Sequence, residues 1–192
     1  MQMFNLFMKP LNLFRKARNR PLIDKIHGEI MAGARQPVFF VDYGVADTVA
    51  GRFEILSLVA TIALRRMSAL PEPGPAVAQE VTDSLFQHFD IALREIGVGD
   101  VTVPKRMKKM ASGYMGRSAA YLAALSDYEA GEPDALPLAI ARNVYGGEGK
   151  AGDARTQRLA RYALSYAALL DGLSLEALLA GQLPVLDAQT VS

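Results

Sequence analysis

Apolar residues return along this chain at intervals of three and four, the spacing of one face of a helix. Leu22, Ile23, Ile26, Ile30 and Met31 predict a helix that runs to about Arg35. Asn19 is its expected N-cap, Pro21 falls in its first turn, and Gln36-Pro37 ends it. Residues 38–46 are unusually apolar for a connection and are expected either to pack on the core or to present an aromatic surface. Asp47 reads as the N-cap of a second long helix over 48–70, which Pro71-Glu72-Pro73-Gly74-Pro75 stops. Val77, Val81, Leu85, Phe89, Ala92 and Ile96 predict a third over 76–96, closed by Gly97. Thr102 then caps a fourth, with Pro104 just inside and Met107, Met110, Tyr114, Tyr121, Leu125 and Tyr128 as its stripe. Shorter helices follow over 135–145, 154–171 (capped by Asp153) and 174–180. Only Val38 to Val41 and Val101 to Val103 are even locally strand-like. The fold class predicted is all-α, a single compact bundle of about six to seven helices.

Composition refines the boundaries. Residues 1–18 form a basic amphipathic segment suited to peripheral contact with an anionic membrane, residues 19–182 the helical domain, and 183–192 a tail expected to fray. The first 20 residues hold five basic side chains and no acid, but Pro10 splits an apolar part too short for a signal peptide. The most apolar internal run, Ile55 to Leu64, is about half the ~20 residues that cross a bilayer and reads as a buried helix. A hydrophobic fraction of 51% supplies a sizeable core, and a net charge of +1 leaves charge-driven binding to local patches. With no cysteine, disulfides, thiolate zinc sites and thiol chemistry are excluded.

Candidate chemistry is sparse. His27 and His88 sit in no metal-ligand pair and are assigned ordinary structural or surface roles. The glycine-rich loop 146–152 fails the phosphate-loop pattern, with Val144 where a glycine is needed and Ala151 after the lysine. Asp42, Asp47, Arg52, Arg94 and Asp100 suit a structural ion network. No cofactor or metal is expected.

Two features stand out. Lys105, Arg106, Lys108 and Lys109, followed by Arg117, crowd the start of a helix. The helix dipole disfavours exposed cations there by about 0.3–1 kcal/mol each. Either they pair with the six acids found between Glu72 and Asp100, or they serve a partner. Gly113, Gly116 and Ala120 form a small-residue face, which usually admits another backbone, internal or foreign.

The strings PVFFVDYGVADTVAGRFEILSLVATIALRRM and FDIALREIGVGDVTVPKRMKKMASGYMGR, with the later RNVYG, resemble the signature of the ubiquinol–cytochrome c chaperone family. The resemblance spans about residues 21–166 and falls on Asp42, Gly44, Val45, Asp47, Gly51, Arg52 and Phe53 in the first string. In the second it falls on Arg94, Glu95, Gly97, Gly99, Asp100, Lys105, Arg106, Lys108, Lys109, Tyr114, Gly116, Arg117 and Tyr121. It implies an all-helical protein without catalysis that binds newly made cytochrome b until haem and partner subunits of respiratory complex III arrive. A ribosome near its exit tunnel and a small partner protein are further partners it implies. A bacterial member, cytoplasmic and peripheral on the inner face of the plasma membrane, is the expectation. Partner contact is assigned to Asp42, Tyr43, Asp47, Arg52, Arg94, Lys105, Arg106, Lys108, Lys109, Tyr114, Arg117 and Tyr121. Met107, Met110 and Met115, with Phe39, Phe40 and Tyr114, are expected to supply an adaptable apolar surface. A rival reading makes residues 105–117 an RNA- or ribosome-binding module. A weaker one, an enzyme or lipid-binding bundle, would need a deep cavity with converging polar groups.

Overall fold

The computed structural model describes residues 13–95, 97, 99–100, 102–147 and 150–191. Most of the basic N-terminal segment therefore lies outside the described residues, as do Ile96, Val98 and Val101. The elements are α1 (Leu13–Ala34), α2 (Val38–Val41), α3 (Val49–Ala69), α4 (Gly74–Glu95), α5 (Val103–Glu129), α6 (Ala135–Val144), α7 (Ala154–Asp171) and α8 (Leu175–Leu179), then a 3-10 turn at Ala188–Thr190. No strand occurs among the described residues, so the all-α reading holds.

α3 is the axis of the bundle and packs against α1, α4, α5, α6 and α7. Every residue from Glu54 to Ala63 is buried, as a helix enclosed on all sides must be. Each fully buried Ile or Leu in that run, such as Ile55 or Leu58, contributes about 1.5–3 kcal/mol. Thr48, not Asp47, caps α3: its Oγ1 accepts from the Gly51 amide at 3.1 Å, while Asp47 pairs with Arg52 at 2.7 Å. Gly51 has no alternative there, since a Cβ would lie 2.0 Å from the Ala46 carbonyl oxygen. α7 matches its predicted limits, with Asp153 accepting from the Arg155 amide at 2.9 Å.

Three expectations are corrected. α1 starts at Leu13, so Asn19 is inside the helix, with its amide 3.5 Å from Glu80, and caps nothing. Proline prefers a first turn because it lacks an N–H; an interior position loses a backbone bond and clashes with the preceding turn, at a cost of about 3 kcal/mol. Residues 38–41, expected as part of a connection, form a helical turn. Phe39, Tyr43 and Val45 are buried, and Phe39 meets Tyr162 edge-on at 4.9 Å. The segment expected to fray is hydrogen-bonded to the body at Leu186 and Ala188. Gln36 donates to the Leu186 carbonyl and accepts from the Ala188 amide, both at 2.8 Å, and the Tyr43 hydroxyl donates to the Ala188 carbonyl at 2.8 Å.

The two histidines meet across α1 and α4, their rings edge-on with centroids 5.4 Å apart. His27 Nδ1 lies 2.7 Å from the Ser84 hydroxyl, and Arg35 lies 3.4 Å from His88 Nε2. Burial, then His88, hold the His27 pKa below its ordinary 6.5, with Asp24 opposing and Arg35 assisting. A base whose folded pKa is depressed binds its proton more readily when unfolded, so this contribution is complete above the ordinary value and is lost as pH falls below it. The melting temperature should therefore drop between about pH 7.5 and about pH 5.5. His27→Gln should flatten that drop, and an equal drop in the variant would show that the histidine is not its source.

Candidate partner-binding surface

α4 and α5 form a hairpin whose turn is held by Arg94. Its guanidinium meets Asp90 at 2.7 Å and Asp100 at 2.5 Å, and Gly97 turns the chain at φ +80°. Arg94 and Asp100 are thus joined as expected, but Asp47 and Arg52 form a separate pair at the start of α3, where the Arg52 guanidinium sits 4.9 Å above the Phe40 ring. Val41 and Val49, 78% and 76% exposed, flank that pair. Asp42 is exposed on the same connection.

Between the two helices of the hairpin runs a groove of about 480 Å³, open to solvent. Phe86 of α4 and Met107, Ala111 and Met115 of α5 give it an apolar lining; Asp83 and Asp90 stand on one wall and Lys108 on the other. Phe86 is propped from below by Tyr114, edge-on at 5.6 Å, and by Phe89 at 5.9 Å. Tyr114 is itself buried; burial, above all, pushes its hydroxyl pKa up, with Thr61 and Ser118 opposing.

Burial alters several expected roles. Tyr43 and Tyr121 are fully enclosed and Tyr114 nearly so, as is Phe39, so none of these presents a surface to a partner. Arg117 turns inward. Its Nε and Nη2 donate to the two carboxylate oxygens of Glu54, a buried residue, while Nη1 donates to the Gly113 carbonyl at 3.1 Å. Its guanidinium also lies 5.3 Å from the Phe53 ring. Gly113 makes room for this arrangement: a Cβ there would approach Arg117 Nη1 to 3.2 Å. Gly116, one turn on, faces open space.

Lys105, Arg106, Lys108 and Lys109 behave differently. All four are exposed, and among the described residues none forms an ion pair within 4.0 Å. Among the described residues no ion pair joins these cations to α4: Asp90 pairs with Arg94, and Asp83 accepts from Gln79 at 3.1 Å. Sequence reasoning missed Phe86 and Glu54. Phe86 lies one residue off the apolar stripe of α4, and Glu54 is a single acid at the edge of the most apolar run, which was its only signal.

A family model described as ubiquinol-cytochrome C chaperone matches residues 41–186. The chain belongs to the ubiquinol–cytochrome c chaperone family. The crystal structure of the Cbp3 homolog from Brucella abortus superposes on this chaperone with a TM-score of 0.80 at 38% identity, over 94% of this chain and 98% of that one. No curated protein matches. The groove and the α5 cations both lie within the matched residues of the chaperone.

The Glu54–Arg117 pair carries a testable energy. Removing one partner of a buried pair leaves an uncompensated charge and costs about 3–5 kcal/mol, whereas replacing both by apolar groups is often neutral. Arg117 keeps some solvent contact, so the lower end applies here, about 3 kcal/mol. Arg117→Met should lower the melting temperature by about 6–12 °C, and Glu54→Leu in the same chain should restore most of it. If the double variant melts as low as the single one, the cost lies in lost packing rather than in the stranded carboxylate.

Proposed function

We propose that this family member is a non-enzymatic assembly chaperone that binds newly made cytochrome b and supports assembly of the ubiquinol–cytochrome c reductase complex. The observation that supports this most is the α4–α5 groove, an open trough with methionine and phenylalanine in its lining, bordered by Asp83 and Asp90 on α4 and by Lys108 on α5. An unfinished membrane subunit exposes apolar helices, and a holder needs a surface that moulds to them; thioether side chains supply it. Among the described residues no helix is long and apolar enough to cross a membrane. Peripheral placement on the inner face of the membrane is accordingly part of the proposal, with the basic residues 1–20 resting on anionic lipid. Docking near a ribosomal exit tunnel, with or without a small partner protein, is compatible with the same cationic helix.

Deleting the protein should remove assembled complex III while cytochrome b messenger persists; a deletion strain with normal complex III defeats the proposal. Lys108→Glu with Lys109→Glu should weaken crosslinking to the captured subunit without lowering the melting temperature. The RNA-binding alternative makes a separate demand, a steep salt dependence of RNA affinity. Absence of RNA binding at low salt removes it.

A further inference from the structure

Sulfur in this chain is confined to methionine, since there is no cysteine. Met1, Met3 and Met8 lie outside the described residues. The other methionines divide by burial. Met31 and Met67 are core residues, 8% and 0% exposed. Met107, Met110 and Met115 stand on α5, and Met115, at 44%, is the most exposed methionine among the described residues. Met107 and Met115 line the α4–α5 groove, and Met110 packs against the core.

Met107, Ala111 and Met115 follow one another at intervals of four on the groove wall of α5, across from Phe86 of α4. The two methionines are spaced about 12 Å along the helix axis, at 1.5 Å a residue. This wall holds no leucine, isoleucine or valine, although such residues fill the interior at Ile55, Leu58, Ile62 and Leu125. Apolarity alone does not account for that choice. A thioether adds two properties that a branched aliphatic side chain lacks: three torsions that let it mould to what it meets, and a sulfur lone pair that an oxidant can reach. Packing shields the sulfur of Met31 and Met67, whereas Met115 is open to solvent.

We infer that Met115, with Met107 beside it, is a reversible oxidation site, and that sulfoxidation there makes the groove release an apolar segment it holds. The oxidant is a hydroperoxide. One peroxide oxygen passes to the sulfur as the O–O bond breaks; the sulfur is oxidised by two electrons, and the other oxygen leaves with the proton, as water when the oxidant is hydrogen peroxide. Methionine sulfoxide reductases return the thioether with electrons from a dithiol. The sulfoxide turns a flexible apolar side chain into a polar one, which is costly to cover with an apolar surface. The rim carries both signs, Asp83 and Asp90 on one side and Lys108 on the other. A segment of no net charge is therefore held by the apolar floor, and polarity introduced there weakens the hold directly. This inference deepens the proposed chaperone role and rests on it for the use of the groove.

The test uses the full chain and a fluorescent synthetic helix with a leucine stripe and no net charge. Dilute hydrogen peroxide is applied to the folded chain, and peptide mass mapping reads the oxidised positions. Met115 should gain an oxygen first and Met107 after it, with Met31 and Met67 spared until the chain unfolds. By anisotropy, treatment should weaken binding of the helix at least about tenfold with melting unchanged, and the reductases with dithiothreitol should restore it. Met107→Leu with Met115→Leu should bind the helix and be indifferent to peroxide. Binding that survives full oxidation of Met107 and Met115 overturns the inference, as does oxidation that takes Met31 before Met115. So does an equal loss in the leucine variant, or a loss that follows a fall in melting temperature. If the leucine variant fails to fold, the mass map, melting and reductase rescue of the native chain still decide the matter. Undiminished binding after oxidation sinks this inference alone; an untreated chain that never binds the helix removes the groove from the functional reading and this inference with it.

Discussion

Glu54 is a carboxylate in the most enclosed helix of the molecule, and the position of α5 follows from what that carboxylate requires. A helix packed on all sides gives no route for water to its polar groups, so a charge on it must be met by a charge from a neighbour. Arg117 reaches in from α5 with two parallel N–H bonds, a geometry that fixes orientation as well as distance. Gly113 provides the clearance, and Phe53 packs against the guanidinium. With Arg117 and Tyr114 turned inward, the opposite face of the same helix, with Lys105, Lys108, Lys109, Met115 and Gly116, is turned outward.

Two kinds of cation stand out among the described residues. Arg52, Arg94 and Arg117 each hold an acid and organise a connection or a helix contact. The lysines of α5 hold nothing within the fold. Arginine suits the first task because its planar fork fits a carboxylate, and lysine, a mobile point charge on a flexible stem, suits an adaptable rim. Rigidity elsewhere supports that rim. The tail is tied to Gln36 and Tyr43, and the Tyr145 hydroxyl, whose pKa burial pushes up to about 12, donates to the Tyr43 carbonyl at 2.8 Å. The groove is thus mounted on a body whose remaining polar connections are largely internal.

The number and order of the long helices were legible because apolar spacing, proline clusters and caps such as Asp153 are local signals. The start of α1 was not, because Pro21 marks only a preference for a first turn, and the helix begins eight residues earlier, at Leu13. The tail was misread for a related reason: its bonds run to Gln36 and Tyr43, about 150 positions away in sequence. At the surface, the sequence located the cationic run and the methionines but not their depth. Periodicity says which residues share a face, not whether that face meets another helix, so Tyr114 and Tyr121 were read as contacts although they are core. Arg117 belonged to the same misreading, since its partner lies 63 residues away and a lone glutamate does not announce a mate. The acid-rich α4 suggested a seam with α5 that side-chain geometry does not make. Family resemblance marked both strings correctly without separating the residues that build the fold from those left free.

On the proposed reading, a partner is held on the outward face of α5. A photocrosslinking amino acid placed at Met115, and in a separate strain at Leu169, an exposed residue of α7, addresses it directly in living cells. The Met115 probe should capture the unassembled membrane subunit and the Leu169 probe should not. Capture from Leu169 with none from Met115 would contradict it.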